Sequence, residues 1–208
     1  MIYHEGNKNK SRLENFINYN NDIKQILETK LKPLMNDIHG EDMTLFKEKL
    51  NWKYGGGNGF AAHQDHPAWS DFPPTFYSTI SISANNSTIA NGCLEFVRGQ
   101  DKKGVYSYNK EGDGSLIPEI ADQFKWIPLE TTPRDILIFN SFTPHRSHKN
   151  NTVSPRRIFY FTFNKLSEGE HYKNYLNKKR KEFPPDIERD DTNVRILGNK
   201  YNLANPIV

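Results

Sequence analysis

His63 and Asp65 stand one residue apart, and a second histidine, His145, follows the apolar run Ile136-Leu137-Ile138-Phe139. Alternate side chains of an extended segment share a face, so His63 and Asp65 point one way while Gln64 points the other. Two imidazoles and one carboxylate on one face of a metal ion leave the opposite coordination positions open, the arrangement of non-haem iron sites that activate oxygen. Open positions imply catalysis rather than structural support. A His-x-Asp pair carries little information by itself, and its neighbours matter more. Arg156 lies eleven residues beyond His145, at the head of a β-rich run that reaches Asn164. A guanidinium beside a metal site can take a carboxylate in a bidentate fork, which lysine does less well. The distal carboxylate of 2-oxoglutarate needs such a partner.

The elements that must position these groups are legible as patterns. From Ser11 to His39, apolar residues recur at three- and four-residue spacings, which predicts a helix ended by Pro33 and Gly40. From Thr44 the pattern alternates: Lys47, Lys49, Asn51 and Lys53 fall on one side, with Phe46, Glu48, Leu50 and Trp52 on the other. This reads as a strand with one unusually polar face. Gly55-Gly56-Gly57-Asn58-Gly59 then predicts a flexible loop; it lacks the Lys-Ser/Thr of a P-loop and the helix of a dinucleotide site. Short β-rich runs at Phe76 to Ala84, Cys93 to Val97, Asp135 to Asn140 and Arg156 to Asn164, without long helices between them, predict a mainly β barrel or jelly roll with flanking helices. Ser167-Glu168-Gly169-Glu170 has the form of a capping box that starts a helix running to Phe183. Pro184-Pro185 stops it, and an irregular surface strap is expected to Val208.

The chain of 208 residues is expected to form one domain over residues 1–208. With Cys93 as the only cysteine there is no disulfide framework and no thiolate cluster, which suits a reducing cytoplasm. No apolar signal segment or membrane span is visible. The 28 basic and 25 acidic residues are intermixed, so the expected partner is a small molecule rather than nucleic acid or membrane. The one basic cluster, Lys178 to Lys181, reads as a solvated helix face. His66 and His148 have the wrong parity to join His63 and His145, while His4, His39 and His171 read as surface residues. Trp69 and Tyr77 flank the motif as pocket walls or, more commonly, as aromatic core.

His63-x-Asp65, Asn91-Gly92-Cys93-Leu94-Glu95-Phe96-Val97-x-Gly99, His145-x-Ser147 and Arg156 together resemble the phytanoyl-CoA dioxygenase family over about residues 44 to 165. The resemblance implies a double-stranded β-helix enzyme that uses Fe(II), O2 and 2-oxoglutarate, with His63, Asp65 and His145 as metal ligands. It implies Arg156 as the 2-oxoglutarate anchor, with Ser147 as helper, and leaves Arg157 on the outer face of the strand. Lys49 and Asn51 fall where similar proteins place polar groups towards the co-substrate; a solvated strand face is the alternative. The segments around Phe60 to Ala68 and Ser167 to Asp186 are similar to a branch that hydroxylates 2-aminoethylphosphonate and its relatives, for which Arg146, Arg98, Glu95, Trp69 and Tyr77 are available contacts. Against that family the N-terminal segment is expected to be shortened. The rivals are an oxygenase of a betaine, an amino acid or an acyl-CoA, a halogenase, which Asp65 disfavours because the carboxylate ligand is then usually replaced, and a non-catalytic jelly-roll module.

Overall fold

The computed structural model of the chain describes residues 1–5, 9–110 and 114–188. In chain order the elements are β1 (Ile2–Glu5), β2 (Asn9–Glu14), α1 (Asn21–Ile26), a π-helical turn (Leu27–Leu31), α2 (Lys32–His39), β3 (Met43–Lys53), β4 (Phe60–His63), α3 (His66–Trp69) and β5 (Tyr77–Ser83). They continue with β6 (Leu94–Val97), α4 (Pro118–Ala121), β7 (Trp126–Leu129), β8 (Ile136–Asn140), β9 (His145–Ser147), β10 (Arg156–Lys165) and α5 (Tyr172–Glu182). A six-stranded sheet in the order β1-β2-β3-β10-β5-β8 faces a four-stranded sheet in the order β4-β9-β6-β7, and all pairings are antiparallel. This is the expected mainly β jelly roll.

Strands β3 and β10 hold the larger sheet together, pairing from Lys53 opposite Arg156 to Met43 opposite Lys165. Their outward faces carry Met43, Phe161 and Phe163, which pack with Ile80 of β5 against Phe16, Leu27, Leu31 and Met35. Burying each such side chain is worth roughly 1.5–3 kcal/mol, so this layer is the main apolar core. The inward face of the same strands is polar, as the alternation from Lys47 to Lys53 predicts. Hydroxyls pair beside it: Thr162 of β10 with Thr79 of β5 at 2.9 Å, and Ser83 at the end of β5 with Thr131 at 2.7 Å.

Three local expectations fail. Ser11 to Glu14 belong to β2 rather than a helix, because Arg12, Leu13 and Glu14 pair with Asn51, Leu50 and Lys49. Asn15 at φ 58° turns the chain out of the strand, and the helix starts only at Asn21, where the Asn20 side chain accepts from the Ile23 N–H at 2.9 Å. No capping box forms at Ser167: its hydroxyl reaches Glu41 at 3.5 Å, Gly169 sits at φ 99°, and α5 begins at Tyr172. Lys179 is not solvated either; it is 1% exposed and donates to Glu14. Its neighbours Lys178 and Arg180 pair with Asp71 and Glu188 on the surface. The glycine run forms the expected loop at the end of β3, before β4. A Cβ on Gly55 would lie 2.4 Å from the Thr152 carbonyl and one on Gly59 2.0 Å from the Ser147 carbonyl, so these glycines permit close docking. Beyond Glu188 the expected strap lies outside the described residues. His4 is half-buried in β1 and pairs with Asp186 at 2.7 Å. Among the described residues no helix is long and apolar enough to cross a membrane.

Glu48, on the outward face of β3, is 1% exposed and accepts from the Ile17 N–H (3.3 Å) and the Tyr172 hydroxyl (3.0 Å). Burial raises its carboxyl to about 7, well above the ordinary 4.5. A raised acid binds its proton more tightly in the folded state, so its stabilisation is complete below pH 4.5 and is lost as the pH rises through about 7. Glu48→Gln keeps the acceptor without the charge. Its melting temperature is expected to match the parent near pH 4 and to exceed it increasingly up to pH 7, read by circular dichroism across that range.

Candidate metal and co-substrate site

Strands β4 and β9 bring two histidines side by side: His63 pairs in register with His145, and their ring centroids are 4.2 Å apart. Each ring is fixed from behind. His63 Nδ1 lies 2.7 Å from the Ala61 carbonyl and His145 Nδ1 lies 2.9 Å from the Thr143 carbonyl. A carbonyl only accepts, so both Nδ1 atoms carry the proton and both Nε2 atoms present a lone pair. Burial and the neighbouring His145 lower the His63 pKa to about 3, which keeps that ring neutral. Asp65, two residues beyond His63 at the head of α3, places its carboxylate oxygens 4.0 Å from His63 Nε2 and 3.9 Å from His145 Nε2. Burial opposes its charge, but His145, Lys49 and His63 offset this and hold its pKa below the ordinary value. One donor atom from each of the three residues lies within 4.8 Å of the others. This donor set fits a single divalent ion: the lone pairs converge, the tautomers are fixed, and hydrogen bonds to the far ring nitrogens orient the ligands.

Gln64 points away from the trio as expected, but into the protein rather than to solvent. It is 2% exposed, donates to the Gly104 carbonyl at 2.9 Å and accepts from the Tyr106 N–H at 2.8 Å. The decoys also separate from the site. His66 stacks on Phe142 at 4.2 Å, and His148 faces Glu95 at 3.2 Å.

The trio opens on a cavity lined by Lys49, Asn51, Trp69, Arg146 and Tyr160 among others, so Lys49 and Asn51 face the site rather than bulk water. Arg156 and Ser147 are not among its lining residues; both are buried behind it, Arg156 opposite Lys53 of β3 and Ser147 accepting from Lys53 Nζ at 2.7 Å. Arg156 is 1% exposed, and the alternation is as expected, with Arg157 exposed on the opposite face. Arg156 Nη1 donates to the Gly92 carbonyl, while its Nε is buried without a hydrogen-bond partner. Next to it Lys53, 2% exposed, donates to Ser147 Oγ at 2.7 Å and to the His148 and Gly92 carbonyls at 2.6 and 3.3 Å. Burial, then the Arg156 charge, depresses the Lys53 pKa to about 6. Among the described residues neither cation has a carboxylate partner within 4.0 Å. Two neighbouring basic groups buried without an anion are costly to keep charged together, and a carboxylate bound beside them would favour the charged form of Lys53. Asn51 Oδ1 is likewise buried and unpartnered.

Several contributors escape a linear reading. Lys53 was visible only as part of a polar face, and Arg12, which lines the cavity from β2, falls in a stretch whose spacing predicts helix. Asn150 is fully buried and ties the glycine run to the segment after β9: its side chain donates to the Lys53 and Ser154 carbonyls, both at 2.9 Å. Nothing in its local sequence announces this role. Of the candidate substrate contacts, Arg146 lines the cavity, held by Glu95 at 2.6 Å and stacked over Trp126 at 4.5 Å. Trp69 lines it too, whereas Tyr77 is sealed in an aromatic core with Phe46, Phe72 and Tyr175. Arg98 borders a different cleft, between β8 and the β6-β7 edge.

The phytanoyl-CoA dioxygenase (PhyH) family model matches residues 3–158. The chain is 40% identical over 198 residues to a 2-aminoethylphosphonate dioxygenase from the uncultured bacterium HF130_AEPn_1, covering 94% of this chain and 75% of that protein. It is 37% identical over 174 residues to the methylphosphonate hydroxylase of Gimesia maris, covering 83% of this chain and 65% of that one. Among solved structures, EctD from S. alaskensis with 2-oxoglutarate and 5-hydroxyectoine superposes with a TM-score of 0.65 at 17% identity, over 77% of this chain and 58% of that one. An α-ketoglutarate-dependent epimerase, SnoN, gives 0.66 at 16% identity, over 91% and 77%. The fold is thus the jelly roll of the iron- and 2-oxoglutarate-dependent oxygenases. Within that class, the chain belongs to the phytanoyl-CoA dioxygenase family.

Gly59 supplies a test of the scaffold apart from the ligands. A methyl group there would meet the Ser147 carbonyl at 2.0 Å, a backbone contact that can be relieved only by moving β4 from β9. Gly59→Ala is therefore expected to weaken divalent metal binding about tenfold or more although Gly59 touches none of the three donors. Anaerobic titration with Co(II), followed by its visible ligand-field bands, reads this directly; unchanged affinity would show that the strand spacing is not what converges the imidazoles.

Proposed function

We propose that the chain is an Fe(II)- and 2-oxoglutarate-dependent dioxygenase that hydroxylates a small aminoalkyl- or alkylphosphonate, releasing succinate and CO2. In this reading His63, Asp65 and His145 hold the iron, and Arg156 with Ser147 binds the distal carboxylate of 2-oxoglutarate. The observation that carries it is the convergence of three prepared donors, with the buried basic pair Arg156 and Lys53 reaching the His145 strand through Ser147 and lacking a carboxylate partner among the described residues. Iron with 2-oxoglutarate and O2 supplies the oxidising power when bound. The chain's own work is positional. Carbonyl hydrogen bonds keep both imidazoles in the ligating tautomer, and Arg156 offers an unused N–H to the co-substrate. Lys49 and Asn51, facing the cavity between these groups, favour a dianionic co-substrate there. Phe139 and Leu94 give the cavity an apolar side that limits water. The phosphonate class is supported by the two named relatives at 40% and 37% identity. Asp65 speaks against halogenation.

The anchor is tested by a paired exchange. Arg156→Lys loses one arm of a charge-assisted fork in a secluded wall, and should weaken 2-oxoglutarate binding by about ten- to a hundredfold. Arg157→Lys, on the exposed face, should leave it unchanged; equal effects in anaerobic binding measurements would reassign the anchor.

For the substrate, protein supplied with Fe(II), O2, ascorbate and 2-oxoglutarate should form more succinate with 2-aminoethylphosphonate or methylphosphonate than with long acyl thioesters. Phosphorus NMR should show a 1-hydroxylated product growing in step with succinate. Succinate without that product would mean misaligned, uncoupled turnover. Coupled product from a betaine, an amino acid or an acyl thioester, with phosphonates inert, would move the substrate class and leave the iron assignment standing.

A further inference from the structure

The cavity holds more positive charge than a metal ion and a dicarboxylate can account for. Arg12, Lys47, Lys49, Arg146 and Lys179 line it, against Asp65 as the sole lining carboxylate among the described residues. Three of the cations are answered from outside the lining, Lys179 and Arg12 by Glu14 (Arg12 at 3.8 Å) and Arg146 by Glu95. Under the reading above, Asp65 is spent on the metal, while Arg156, Lys53 and Lys49 face a dicarboxylate. That leaves Lys47. It is 7% exposed, and among the described residues its ammonium makes no hydrogen bond and no ion pair. What surrounds it is aromatic: the ring centroids of Trp69 and Tyr175 lie 4.6 and 5.3 Å from Nζ. Those rings hold the ammonium in place and exclude water, but they cannot neutralise it. The carboxylates of Glu14, Asp65 and Glu48 act on Lys47 from beyond ion-pair distance, and Arg12, itself paired with Glu14 at 3.8 Å, adds a second positive charge nearby.

Position along β3 separates Lys47 from the co-substrate wall. Arg156 pairs in register with Lys53, whereas Lys47 lies opposite Thr162, six residues along the strand and on the order of 20 Å away. The charges of Lys47 and Lys49 act on Asp65, while Lys53 at the other end donates to Ser147, two residues beyond His145, so the trio is approached from both ends of the strand. We propose that Lys47, with Arg12 beside it, forms a second anion subsite that holds the phosphonate of the substrate on the side of the trio away from Arg156. This rests on the dioxygenase reading and adds the recognition element to it. A phosphonate held there keeps the carbon bonded to phosphorus one bond from the anchored group, close to the reacting centre. The placement also explains why an aromatic cage surrounds a lysine of the protein rather than an amine of the ligand.

The test is calorimetric titration of 2-aminoethylphosphonate and methylphosphonate into anaerobic protein loaded with Fe(II) and 2-oxoglutarate. Lys47→Met should weaken phosphonate binding about tenfold or more, Lys47→Arg should retain most of it, and 2-oxoglutarate affinity should stay within about twofold in both. The ligand-free Lys47→Met protein should also melt higher than the parent, because it no longer buries an unpaired charge; a lysine needed only for folding would do the opposite. Parental phosphonate affinity in Lys47→Met, or a parallel loss of 2-oxoglutarate binding, overturns the subsite. Should the parent ignore phosphonates yet bind ethanesulfonate or a dicarboxylate that Lys47→Met loses, the subsite stands and the phosphonate class fails. A parent that binds none of these anions also overturns it.

Discussion

Two imidazoles can share a metal ion only if both turn a bare nitrogen to the same point, and here that condition is met by two hydrogen bonds to backbone carbonyls. Each histidine donates its Nδ1–H to the carbonyl two residues before it, Ala61 for His63 and Thr143 for His145. The tautomer is thereby set by the main chain, not by a side chain that a single mutation could remove. For the two carbonyls to be in place, β4 and β9 must pair closely, which in turn requires a residue without a side chain at position 59. Asp65 completes the set because the chain turns into α3 directly after β4.

The larger sheet supplies the opposite wall under a different constraint. Its outer face is fixed by apolar packing on the helices, so its inner face is fixed as well, since alternate residues have nowhere else to go. That inner face holds Lys47, Lys49, Asn51, Lys53, Tyr160 and Arg156, a concentration of polar and basic groups that a jelly roll selected only for stability would not bury. The stabilisation lost there is offset by the aromatic layers at Phe46, Trp69, Tyr77 and Tyr175 and by the helix-facing core. Stability is thus concentrated on one side of the strands and binding capacity on the other.

How far this could be read in advance depended on whether a signal was local. Alternation from Phe46 to Lys53 and from Arg156 to Asn164 assigned both faces of β3 and β10, including the inward Arg156 and the outward Arg157. The His63-Gln64-Asp65 parity held for the same reason. The failures came where a tertiary partner decided the outcome. The spacing of Leu13, Phe16 and Ile17 fits a helix, yet β3 offered an open edge and recruited residues 9–14 as a strand. Lys179 looked solvated within its basic run because Glu14, its buried partner, lies 165 residues away in the chain. Ser167 and Glu170 had the letters of a capping box, but Glu168 is engaged by Thr75 at 2.6 Å and Gly169 leaves helical geometry. Asn150 carried no local signal at all, since its importance lies wholly in the carbonyls it reaches.

β10 comes last in the chain among the strands described, yet it sits in the middle of the larger sheet, with β3 on one side and β5 on the other. Its partners on β3 precede it by more than a hundred residues, a sequence separation that makes sheet closure a late and slow event in folding. During synthesis, β1 to β9 leave the ribosome before there is anything to fill the gap between β3 and β5. The two histidines and the aspartate are therefore translated well before Arg156, and the converging trio exists as sequence before the chamber around it is shut. The order of the chain thus makes the arrival of the buried arginine Arg156 coincide with completion of the core.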